Sequence, residues 1–111
     1  MKLDQPKLIQ DLQAAKEAAL KTARDNPGDG GTCNMDRAIL FLPKGVRVAQ
    51  VAGAVTRAGL SGHGSTWLGA RVYFIHAPIG GQGDLNTRQA EAISWTLKTA
   101  GWGTAVYYQM D

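Results

Sequence analysis

A single cysteine, Cys33, stands in the 111 residues, so no disulfide can close within the chain, and a reducing compartment suits it. Hydrophobic stretches are short, and none approaches the ~20 residues that a membrane span needs. The opening "MKLDQPKLIQ" has no apolar signal core, so the expected location is the cytoplasm. Two isolated histidines, His63 and His76, and one cysteine show no ligand spacing, so neither a metal nor another cofactor is expected. Aromatic residues make up only 7% of the chain and do not interleave with basic ones, which weighs against a nucleic-acid partner. Acidic residues are missing altogether between Arg37 and Gly83, while Arg37, Lys44, Arg47, Arg57 and Arg71 all fall there. The net charge is only +3, yet this basic middle suits an anionic partner; ordinary solvation by scattered cations is the plainer alternative.

What is present is an ordinary globular balance, 44% hydrophobic, in a chain long enough for one modest core. Leu8, Leu12, Ala15 and Ala19 recur at helical spacing from about Asp4 to Asp25, Pro6 fits the first helical position, and "DNPG" stops the helix. "AILFLP" (Ala38–Pro43) reads as a strand, extending back as far as Thr32. Val48, Val51, Ala52, Val55 and Ala58 form a helical stripe closed by Gly59. "RVYFIHAP" (Arg71–Pro78) is a second strand, Thr87 to Ala100 a third helix closed by Gly101, and "TAVYYQM" (Thr104–Met110) a third strand with Tyr107 and Tyr108 on opposite faces, one in the core and one exposed. The chain is therefore expected to be one α/β domain of residues 1–111, with a helix and cap over 1–26 and a βαβαβ unit over 32–111. The order α-β-α-β-α-β predicts a small α/β sandwich, its three-stranded sheet packed against helices. If both crossovers make parallel pairs, the strand-to-helix loops share one sheet edge, and "NPGDGGTCN" and "LSGHGSTWLG" share the other. So small a sheet has exposed edges, and a homodimer that extends or covers it is expected.

The glycines of "PIGGQGDLNTRQAEA" (Pro78–Ala92) sit just before a helix start, where backbone N–H groups can converge on an anion. In that reading Gly81 and Gly83 cradle the anion, Asn86 caps the helix with Gln89 as its capping-box partner, and Arg88 adds a fork of donors. The alternative is a connecting loop before a well-capped helix. A second group, "GDGGTCNMD", would place Asn34 and Asp36 on one face of an extended strand, able to hydrogen-bond a base or a sugar; an Asx-rich turn is the alternative. Trp67, in the polar stretch "GHGSTWLG", suits stacking on a base or docking to a partner, unless it packs back over the sheet. Cys33 as a nucleophile with His63 or His76 as base has no spacing to support it, and His76 reads as a packed, satisfied histidine.

"GDGGTCNMD" (Gly28–Asp36), "GQGDLNTRQAEA" (Gly81–Ala92) and "VYYQMD" (Val106–Asp111) resemble stretches of small uncharacterised accessory proteins encoded by phages and prophages. The resemblance supplies no activity or catalytic residue. It implies a setting of host defence evasion, in which such proteins sequester a nucleotide signal or block a defence protein. The expected function is a non-enzymatic binding protein for a phosphorylated small molecule, foremost a nucleotide, held by Gly81, Gly83, Asn86 and Arg88 with Asn34, Asp36 or Trp67 on the remainder. The alternative is an inhibitor that binds a host defence protein, and a small enzyme using Cys33 comes third.

Overall fold

Helix α1 (Gln5–Asp25) starts where Asp4 Oδ1 accepts a hydrogen bond from the Lys7 amide at 3.1 Å, an N-cap that places Pro6 one residue further in than its spacing suggested. Its buried stripe is Leu8, Leu12, Ala15, Ala19 and Ala23, spaced to form a single helical face. The small alanines let α1 lie close against its neighbours, and Asp11 fastens it by accepting from Trp102 Nε1 at 2.8 Å and pairing with Lys7. The structure, a computed structural model, describes residues 3–25, 36–80 and 83–108.

After α1 come β1 (Arg37–Phe41), α2 (Val48–Arg57), β2 (Gly62–Trp67), β3 (Ala70–Ile75), α3 (Asp84–Thr99) and β4 (Thr104–Tyr107). The domain is α/β as expected, but the described residues hold four strands, not three, in a wholly antiparallel sheet of order β2-β3-β1-β4. The added strand is β2, in a stretch whose glycines read as a loop; β2 and β3 form a hairpin that pairs His63 with Phe74 and Trp67 with Ala70. Each helical crossover joins two strands that run the same way, yet an antiparallel strand lies between them: β3 between β1 and β2, and β1 between β3 and β4. That β-α-β-β-α-β connection is the split, ferredoxin-like arrangement, here preceded by α1.

Antiparallel pairing overturns the expected placement of loops. Ala38 lies opposite Ile75, so the start of β1 meets the end of β3. The segment that leads into β1 and the one that leads into α3 therefore come together within one chain, and no second copy is needed to unite Asp36 with Asn86. The core lies between the three helices and one sheet face, where Ala38, Leu40, Tyr73 and Ile75 meet Leu8, Leu12, Val51, Val55, Ile93 and Leu97. Strand alternation turns Arg37, Ile39, Phe41, Val72, Phe74, Ala105 and Tyr107 to the other face. Tyr107 is thus a half-buried residue of that second face and not part of the helix-side core, while exposed Tyr108 follows the strand and donates to Glu91 at 2.7 Å.

Candidate functional site

The face of the sheet turned away from the helices carries a connected strip of rings. Phe41 lies 6.1 Å from Trp67, Trp67 6.4 Å from Tyr107, Tyr107 5.6 Å from Phe74, and Phe74 5.3 Å from His63. Half of the chain's Phe, Tyr and Trp residues thus belong to this strip. The two contacts of Tyr107 are edge-on, at 86° and 80°, and His63 stacks on Phe74 at 23°. Trp67 therefore sits at the end of β2, half-buried among rings and not in a loop. A pocket of about 340 Å³ opens here, lined by Arg37, His63, Ser65, Thr66, Trp67, Phe74 and Tyr107. That is the lower end of the range for ligand pockets, and its mixture of rings with a few polar groups is of the kind that orients small molecules.

Arg37 supplies the charge. It is half-buried opposite Tyr107, its Nη1 donates to the Asp36 carbonyl at 3.1 Å, and among the described residues no carboxylate pairs with it. Next to it, His63 Nδ1 and His76 Nε2 stand 3.1 Å apart, a hydrogen bond between the two rings. Register fixes this pair: His63 faces Phe74, and His76 follows β3 with its amide bonded to the Ser61 carbonyl at 2.9 Å. Burial, then the charges of Arg37 and His63, hold the His76 imidazole below the ordinary histidine value. The surroundings thus disfavour a proton on the His76 imidazole. His76 is satisfied, as the sequence suggested, but by the other histidine of the chain.

The residues predicted at the glycine loop take different positions. Gly83 is the N-cap of α3, with φ 57° and ψ −130°, a conformation that only glycine adopts readily. Asn86 is not the cap; it lies in the first turn, 5% exposed, and its Nδ2 donates to the Asp36 carbonyl at 3.1 Å. Thr87 Oγ1 donates to Asp36 Oδ2 at 2.7 Å, so a buried Asp36 fastens the start of β1 to the start of α3. Gln89 forms no capping box; fully buried, it accepts from the Ile79 amide and donates to the Ile79 carbonyl, both at 3.0 Å. Arg88, the fifth residue of α3, is half-buried. Gly81, Asn34 and Cys33 lie outside the described residues. The structure brings Asp36 and Asn86 together, and it places Trp67 apart from them in the ring-lined pocket.

Sequence reasoning passed over Arg37, Phe74 and Tyr107 as site residues, and it left His63 and His76 without a common role. Their signal is strand alternation, legible only once β2 is known to be a strand. A second hollow of about 430 Å³ lies across β2, between Leu42, Val48 and Arg71; there Arg71 donates to the Val46 carbonyl at 3.0 Å. Among the described residues no group of three metal-ligating side chains occurs, and no helix is long and apolar enough to cross a membrane. No family model, curated protein or solved structure matches the chain.

Proposed function

We propose that the protein binds a phosphorylated small molecule, a nucleotide, on the open face of its sheet and does not transform it. The observation that carries this reading is Arg37: a half-buried arginine with no carboxylate partner among the described residues, at the rim of a pocket walled by Trp67, Phe74 and Tyr107. Rings offer their faces or edges to a base, and a guanidinium fork suits a phosphate. The pocket draws most of its lining from the acid-free middle of the chain, so little opposes an incoming anion. In the phage setting that the sequence resemblance implies, such binding would sequester a host signal.

A thermal-shift scan against nucleoside mono-, di- and triphosphates tests this. Ligand at ~100 times its dissociation constant adds roughly 2.7 kcal/mol of stability, a rise on the order of 10 °C for a domain of this size. Arg37→Ala is expected to abolish the rise and Arg88→Ala to leave it. The reverse pattern would return the site to the glycine loop, and no rise with any nucleotide would reject the reading. One feature favours the inhibitor reading as a second: β2 is an edge strand, and its hairpin ends in Leu68, 85% exposed. On that reading Leu68→Asp would abolish capture of a protein partner while Arg37→Ala would not.

A further inference from the structure

Two pockets meet at Arg37. The ring-lined one takes in His63, and a smaller one of about 170 Å³ is lined by Arg37, His76, Ala77, Ile79, Gly80 and Asn86. Arg37 lines both, and the hydrogen-bonded histidine pair spans the same boundary, His63 lining one pocket and His76 the other. Positive charge and imidazole therefore concentrate at the partition, while the two pockets differ in character. One is walled by rings. The other is walled largely by the Ala77–Gly80 chain, which Gln89 holds in place through both of its bonds to Ile79. A pocket held in this way loses little freedom when it is filled.

We propose that the ligand is two nucleosides joined through one phosphodiester, seated astride Arg37. This inference rests on the nucleotide reading above and narrows it. The first base lies among Trp67, Phe74 and Tyr107, the phosphate faces Arg37 and the histidine pair, and the second nucleoside occupies the pocket beside His76 and Gly80. A phosphodiester carries a single negative charge, which one guanidinium matches, whereas a terminal phosphate carries up to two. Arg37 is the one lysine or arginine among the described residues that line either pocket, so a long run of phosphates would find no further partners there. The same chemistry is offered by a free linear dinucleotide and by one step of a single strand.

Calorimetric titration of the full chain with adenosine monophosphate, the 3′,5′-linked adenosine dinucleotide, its cyclic form and an adenosine octanucleotide tests the inference. The linear dinucleotide is expected to bind about tenfold or more tighter than the mononucleotide, a gain of ~1.4 kcal/mol, and tighter than the cyclic form, whose second phosphodiester would meet no further lysine or arginine among the described lining residues. Gly80→Phe, checked for an unchanged melting midpoint, should remove that gain and leave mononucleotide affinity within about threefold. Among the described residues nothing lies within 4 Å of a Cβ built at Gly80, so its replacement is expected to leave the fold intact. Equal affinities for one and two nucleotides, or a gain that survives Gly80→Phe, would overturn the inference while leaving the nucleotide reading in place. Failure of all four ligands would remove both. An octanucleotide that binds more tightly than its number of registers allows would identify a strand as the source, and equal affinity per register a free dinucleotide.

Discussion

Leu68 adopts φ 51° at the tip of the β2–β3 hairpin, followed by Gly69 at φ 80°. A two-residue turn with both φ values positive matches the twist of its strands, and asparagine is the residue that usually fills the first place. A leucine there carries a steric penalty with no packing to offset it. Leu68→Asn is therefore expected to stabilise the protein by about 1 kcal/mol, seen as a higher urea midpoint with an unchanged slope. His76 supplies a second test at this scale. Its imidazole is held below the ordinary value of 6.5 by burial, Arg37 and His63, so the unfolded chain takes up a proton where the folded protein does not. Stability should be full above that value and fall as pH drops through it, and urea melts between pH ~8 and ~5.5 should show the fall becoming shallower in His76→Gln. The two glycines of β2 show why this strand was not legible from sequence. Glycine ordinarily marks a loop, but a Cβ at Gly62 would collide with the Phe74 carbonyl, and one at Gly64 would come within 2.5 Å of Val48 Cγ2. They are there because β3 and α2 approach closely, a tertiary cause that no local pattern carries.

Elements with strong periodicity were legible for the complementary reason. The stripe of α1 and the stop at Gly59, with φ 83° and a Leu60 amide bonded to the Val55 carbonyl at 3.0 Å, are local chemistry written in the sequence. The start of α3 was not, because its residues serve neighbours. Gln89 reaches back to Ile79 and not to a cap, and Asn86 reaches β1. With Gln89 fully buried and bonded to three backbone groups, Ile79 N, Ile79 O and Leu85 O, Gln89→Ala leaves at least one of them without a partner. The expected loss is roughly 2–3 kcal/mol, with hydrogen exchange rising first across 76–80. A substitution that destabilised the chain without loosening that segment would show that the glutamine acts only by filling space.

At the scale of the whole molecule the sheet has two unlike sides. The helix side holds side chains that no solvent reaches, among them Leu12, Ile93 and Leu97, and it contains what a domain of this size needs for a core. The other side keeps its Phe, Trp and Tyr rings half-exposed in a chain of ring contacts, with only Ile39 and Val72 fully covered among its described strand residues. If those rings are there to bind, their removal should matter little to folding. If they finish a second core, it should matter as much as a helix-side truncation. Trp67→Ala and Tyr107→Ala are expected to cost about 1 kcal/mol each, since half-exposed contacts lose mainly pairwise ring energy. Leu12→Ala and Ile93→Ala should cost about 2–5 kcal/mol through the cavities they leave. Equilibrium urea unfolding of the four variants ranks them directly. Open-face losses equal to the helix-side losses would make the ring strip structural, and Arg37 would then be the only part of the proposed site still in need of a ligand.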